Sequence, residues 1–155
     1  MEIIVVSETN LCIYKNLAQC YEAEFSKITG KKPDTQGIFE LDTQLSDTVR
    51  GLLLMIEGIP AGIAAIALKE NSSYEMCEFY VVPSFRKNSA GMNFAHGVWK
   101  MYPGAWAIKQ IEGAEYASEF WRKTISRYDQ TLYVEEHCLD PYWGLVTCQR
   151  FHINL

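Results

Sequence analysis

With 155 residues, 48% of them hydrophobic and 13% aromatic, the chain carries enough apolar material to bury one core without disulfides or a metal. A net charge of −5 argues against a nucleic-acid-binding surface, which needs clustered Lys and Arg, and mildly favours cationic or small neutral substrates. The five cysteines, Cys12, Cys20, Cys77, Cys138 and Cys148, are odd in number and include no Cys-x-x-Cys pair, so neither a disulfide framework nor a zinc site is expected, and reduced thiols in a cytoplasm are.

The opening MEIIVVSETN has no basic region, and no later segment approaches about 18 uncharged apolar residues, so neither export nor membrane insertion is expected. Ile3 to Val6 is a short β-branched run, followed by Ser7, Thr9 and Asn10 as candidate helix caps. Tyr14, Ala18, Tyr21, Phe25 and Ile28 then recur at helical spacing up to Gly30, predicting an amphipathic helix over about 11–29. The polar stretch GKKPDTQGIFELDTQLSD, with Pro33 and Gly37, predicts a loop with one short helical turn, the segment freest to shape a substrate site.

Two apolar runs in GLLLMIEGIPAGIAAIALK flank Glu57 to Gly62, and their Gly and Pro residues predict a tight reversal between antiparallel strands. YEMCEFYVVP is a strand closed by Pro83, SFRKNSAG is a basic loop, and Gly91, Phe94, Ala95, Val98, Trp99 and Tyr102 mark one apolar helix face. Pro103-Gly104 breaks that helix before the short strand AWAIKQI. Ala117, Phe120, Trp121, Thr124, Ile125 and Tyr128 mark another helix, and TLYVEEHCL and GLVTCQRFHIN close the chain as paired strands. No repeat or linker interrupts residues 1–155, so a single domain is expected.

The strand–loop–helix unit from Tyr74 to Trp106 is the organising stretch. It aims the loop's N–H groups and the positive end of the helix dipole at one point, with Arg86 and Lys87 adding charge, which suits an anion such as pyrophosphate. The run lacks the Lys-Ser/Thr ending of a P-loop and the three glycines of a dinucleotide fingerprint.

Arg86, Lys87, Asn88, Ser89, Ala90 and Gly91 resemble the Arg/Gln-x-x-Gly-x-Gly/Ala signature of the GCN5-related N-acetyltransferases, with Ser89 in the place of the first glycine. The element order β, α, loop, β, β, β, α, β, α, β, β also resembles that family over most of the chain, as do the Gly-x-Pro-x-Gly turn and the run Ala117-x-x-Phe120-Trp121. The resemblance implies an α/β (α+β) fold, a mixed, mainly antiparallel central sheet with helices on both faces. It implies acetyl-CoA as cosubstrate, held by Val81, Val82, Arg86, Lys87, Asn88, Ser89, Ala90, Gly91, Met92 and Phe120. Val81 and Val82 would pair through their backbone with the pantetheine amides. Ala114 stands where the family has Asn, and Trp121 where it has the Tyr whose hydroxyl can protonate the leaving thiolate.

The implied function is transfer of acetyl from acetyl-CoA to a primary amine of a small molecule or peptide. The alternative is a non-catalytic CoA- or acyl-CoA-binding regulatory module of the same fold. Strand alternation puts Met76, Glu78, Tyr80 and Val82 on one face, and Glu78 is the carboxylate best placed to act as general base, directly or through water, with Glu75 next. Residues 31–48 and 140–143 are expected to line the acceptor pocket, where Asp34, Glu40, Asp42 and Asp140 would favour a cation. His96 is expected to face solvent, and His137 and His152 show no metal-ligand spacing. No metal, nucleic-acid or membrane partner is expected; a possible homodimer is the assembly considered.

Overall fold

The computed structural model describes residues 1–154. Its elements run β1 (Glu2–Val5), α1 (Leu11–Thr29), β2 (Val49–Ile56), β3 (Ile59–Lys69), β4 (Ser73–Val81), a 3₁₀ turn (Pro83–Phe85), α2 (Ala90–Met101), β5 (Gly104–Ile111), α3 (Glu115–Ser126), β6 (Tyr133–Asp140) and β7 (Gly144–Ile153). Every expected strand and helix forms in the expected order. The strands make one seven-stranded, mostly antiparallel sheet in the order β1-β2-β3-β4-β5-β7-β6, with β4 and β5 as a parallel pair. The chain gathers into two compact units, Met1–Ile66 with Glu78–Gly91, and Ala67–Cys77 with the chain from Met92 onward.

In the first unit, β1 lies antiparallel to β2, with Glu2 opposite Met55 and Val5 opposite Leu52. Leu52, Leu53 and Leu54 are all buried, as an unbroken apolar run requires when both faces of a strand are covered. The β2–β3 reversal is tighter than the sequence suggests: Glu57 and Gly58 alone turn, both with positive φ, and Ile59 and Pro60 already belong to β3. Gly62 is required by its neighbour, because a Cβ there would stand 2.4 Å from the Tyr80 carbonyl oxygen of β4.

Helix α1 buries Tyr14, Ala18 and Glu22 and ends at Gly30, whose left-handed φ of 71° lets its N–H reach the Ser26 carbonyl at 2.8 Å. Its start differs from expectation: Asn10 occupies the cap position without capping through its side chain. Instead Asn10 Oδ1 accepts from the Ser7 N–H, and its Nδ2 donates to the Val5 carbonyl, fixing the turn that leads out of β1.

In the second unit, β5 and β7 pair from Gly104 opposite Ile153 to Ile111 opposite Val146, and β6 adds to the outer side of β7. Phe94, Ala95, Val98 and Trp99 of α2 and Trp121 and Ile125 of α3 are buried, so both apolar stripes face a core. The Trp99 ring contacts Phe151, Tyr128 and Trp121 at centroid distances of 4.9, 5.5 and 6.3 Å.

Candidate active site

Strand β4 alternates as its sequence demands. Met76, Glu78 and Tyr80 are buried, and Cys77 and Phe79 are less so. Glu78 is only 3% exposed; its Oε2 accepts from the Tyr14 hydroxyl of α1 at 3.1 Å, and its Oε1 is buried without a hydrogen-bond partner. A buried carboxylate with one orphaned oxygen resists ionisation. Burial raises its pKa to about 7, against the pull of nearby Thr43 and of Tyr14, while the charges of Glu22 and Asp42 push the same way as burial.

Those neighbours belong to a second polar layer. The Lys31 ammonium donates to Glu22 Oε2 at 2.8 Å, to Asp42 Oδ1 at 2.6 Å and to the Glu40 carbonyl at 2.9 Å. Glu22 Oε1 accepts the Asp42 N–H at 2.9 Å. One turn earlier on α1, Gln19 pairs with both backbone groups of Phe39, each at 2.8 Å. The segment expected to be the freest is therefore fastened to α1 at two places. It contains no helical turn, and Asp34 folds it locally by accepting from the Gln36 and Ile38 N–H groups at 2.8 and 3.0 Å.

Of the acids expected to attract a cation, Asp42 is already paired with Lys31, and Asp140 is paired with Lys109 at 2.9 Å. Lys109, with the Trp143 and Tyr142 N–H groups, holds the Asp140 carboxyl down at about 2 against a smaller upward push from burial. The sequence reading placed Tyr14 on the apolar face of α1 and Lys31 and Thr43 in the 31–48 segment, but assigned none of them, nor Glu22, a role beside Glu78. Glu22 was detectable, because it continues the Tyr14–Ala18 row at i+8, where an apolar residue belongs.

At the end of β4 the Val82 N–H donates to the Ala61 carbonyl at 2.8 Å, and the Val81 carbonyl accepts from Arg86 Nε at 2.7 Å. Arg86 also pairs with Glu24 at 2.8 Å and lies 5.4 Å from the Tyr80 ring centroid. Its side chain thus ties down the strand end. The loop that follows is held by Lys87 N–H to the Phe85 carbonyl at 2.8 Å and Ala90 N–H to the Lys87 carbonyl at 3.0 Å. Asn88 and Ser89 both take left-handed φ values of 51° and 59°, turning the backbone sharply into α2. The first-turn N–H groups of any helix lack intrahelical acceptors, so Gly91 and Met92 present donors at the positive end of the dipole, beside exposed Lys87.

Phe120 is half-buried with its ring 4.9 Å from that of Trp121. Trp121 and Ala114, at the two positions that depart from the acetyltransferase motif, are buried. Tyr116 is exposed, whereas Tyr128 packs edge-on to His96 and Trp99. His96 does not face solvent as expected. It is half-buried, its Nε2 lies 2.9 Å from the Thr124 carbonyl, and burial together with Lys100 lowers its pKa against the pull of that carbonyl. The reason is that the Thr124 carbonyl of α3 and the Tyr128 ring just beyond it lie on that side of α2, which helix periodicity alone does not reveal. No helix is long and apolar enough to cross a membrane among the described residues.

No family model and no curated protein sequence matches the chain. Its structure does match solved ones. The aminoglycoside 6'-acetyltransferase type Ii aligns with a TM-score of 0.70 at 13% identity, covering 100% of this chain and 99% of that one. The aminoglycoside acetyltransferase AAC(6')-Ib, solved in complex with coenzyme A, gives 0.68 at 11% identity, over 97% and 93% of the two chains. The ribosomal-protein-S18-alanine N-acetyltransferase of Escherichia coli gives 0.67 at 10%, over 99% and 94%. The chain therefore has the fold of the GCN5-related N-acetyltransferases, end to end.

Proposed function

We propose that the protein is an acetyl-CoA-dependent N-acetyltransferase acting on a primary amine of a small molecule or peptide. The observation that carries this reading is the likeness to acetyltransferase structures over nearly the whole of both chains. The neighbours' acceptors are themselves diverse amines, an aminoglycoside and a protein alanine among them, so the amine class is the shared element.

Acetyl-CoA would supply the activated acyl carbonyl. On this reading the turn from Lys87 to Met92, with Asn88, Ser89, Ala90 and Gly91, carries the pyrophosphate on N–H groups other than those of Lys87 and Ala90, which bond the Phe85 and Lys87 carbonyls. Arg86 acts by fixing the loop, since its guanidinium serves Val81 and Glu24. The Val81 carbonyl keeps a second lone pair for a pantetheine amide; Val82 contributes its own carbonyl, because its N–H serves Ala61. Phe120 offers an apolar wall.

The acceptor amine must lose a proton to attack. Glu78 is assigned that proton because its carboxyl titrates at about 7, where a base is both partly ionised and strong enough to be useful. At 3% exposure it takes the proton through a water or a hydroxyl rather than by direct contact.

Incubation with acetyl-CoA and a panel of polyamines, aminoglycosides, amino acids and peptides, with a thiol reagent reporting free CoA, tests the reading. Amine-dependent CoA release is expected; CoA binding without release from any amine would overturn it. Gly91→Asp places a carboxylate in the phosphate cradle and should weaken CoA binding by at least about tenfold in calorimetry, because like charges repel at close range. Equal affinity would move the phosphates elsewhere.

A further inference from the structure

We propose that Lys31 is a positioning residue for Glu78: by tying Glu22 of α1 to Asp42 and Glu40, it seats the 40–43 segment against the Glu78 carboxylate and neutralises the two acids facing it. This rests on the reading of Glu78 as the base, yet it can be tested apart from that reading.

The geometry comes first. Three acceptors surround one ammonium, two of them carboxylates, and the Lys31 side chain is 20% exposed while that of Glu22 is 2% exposed. The bonded ammonium offsets part of the cost of burying the Glu22 carboxylate. The contact is not a loose surface pair. Asp42 is fixed twice, by Lys31 through its side chain and by Glu22 through its N–H, and Thr43 follows directly in the chain. Whatever holds Asp42 therefore holds Thr43 beside Glu78.

The charges follow from the same contacts. From α1, Glu78 bonds the Tyr14 hydroxyl and feels the charge of Glu22; from the segment after α1 it meets Thr43 and feels the charge of Asp42; β3, which approaches β4 where Gly62 abuts Tyr80, is buried from Ala61 to Ile66. Lys31 is the cation bonded to both facing acids. Removing its charge takes the bonded cation away from both carboxylates, which disfavours a third negative charge nearby. Removing Asp42's charge acts in the opposite sense. A purely structural role would not produce opposite signs from the two halves of one ion pair.

The test follows the pH titration of the Glu78 side-chain carboxyl by ¹³C NMR in the ligand-free protein, its signal assigned by loss in Glu78→Gln. Lys31→Met should move the midpoint to higher pH by at least about half a pH unit, and Asp42→Asn should move it lower, as like-charge interactions predict. Lys31→Arg, which keeps the charge, should restore most of the wild-type midpoint. An unmoved midpoint in Lys31→Met, or shifts of the same sign in both charge-removing variants, overturns the proposal. If Lys31→Met does not fold, Asp42→Asn and Lys31→Arg decide it by the same criteria. The acidic limb of kcat/KM should follow the NMR midpoint in each variant. If the midpoint moves and the limb does not, the coupling stands and Glu78 is not the base.

Discussion

Glu75 and Glu78 sit three residues apart on β4, on opposite faces, and their surroundings drive them in opposite directions. Burial pushes both carboxyls up. At Glu75 two lysines outweigh it: Lys69 pairs with one oxygen and Lys109 with the other at 3.0 Å, holding the group below its ordinary value. At Glu78 no cation bonds the carboxylate, one oxygen lacks a partner, and two further acids stand nearby, so the carboxyl rises to about 7. One strand thus carries a structural acid and a poised acid. The type of residue does not separate them; the partners delivered from elsewhere in the chain do.

The largest expected effect that sharpens this contrast is on turnover. Glu78→Gln keeps shape but cannot accept a proton, and should lower kcat by about 10²–10⁴-fold while removing the acidic limb of the pH–rate profile. Glu75→Gln should leave kcat within about threefold, since a paired acid on the other face has no proton to take. Equal losses in the two variants would break the comparison. In the wild type the rate should rise with pH through about 7, as Glu78 ionises.

Stability should respond next. Glu78 has a folded pKa above its unfolded value of 4.5, so the native state holds its proton over the window where the unfolded state releases it. Raising the pH from 4.5 to about 7 therefore destabilises the fold, by on the order of 3 kcal/mol once both states are ionised. Glu78→Gln should be more stable than wild type at pH 8 by a margin of that order, and nearly equal at pH 4, as read by denaturant unfolding. A destabilised variant at pH 8 would mean that the native carboxylate is better solvated than its burial implies.

The smallest effect belongs to Glu75, and its sign is reversed. A depressed pKa contributes stability that is present above the unfolded value and lost as pH falls through the folded one. Glu75→Gln should cost about 1 kcal/mol at pH 7 and progressively less as the pH falls below the unfolded value of 4.5, because Lys109 retains Asp140 and the pair is only partly shielded from water. The gap between the two variants' unfolding midpoints should then be wide at pH 8 and nearly closed at pH 4, with Glu78→Gln the more stable at pH 8.

Much of this protein was legible in the residues. The period of Tyr14, Ala18, Tyr21, Phe25 and Ile28 set α1, and Gly30 ended it, because helix spacing and left-handed φ are local properties. Alternation put Glu78 on one face of β4 with Met76 and Tyr80, and that face is the buried one. The polar, Gly- and Pro-bearing segment 30–48 read as open loop, although Gln19, Glu22 and Lys31 fasten it by contacts spanning 9 to 20 residues. His96 read as exposed because its partners, Thr124 of the next helix, 28 residues on, and Tyr128 just after that helix, lie further along the chain.

The sequence by itself determined the elements, their order and the strand face that Glu78 shares with Met76 and Tyr80, since propensity, periodicity and turn chemistry act over a few neighbours. The tertiary structure alone decided what that acid feels. A pKa depends on the charges and hydrogen bonds within a few ångströms, and Tyr14, Glu22, Asp42 and Thr43 reach Glu78 only after folding brings chain positions 35 to 64 residues away beside it.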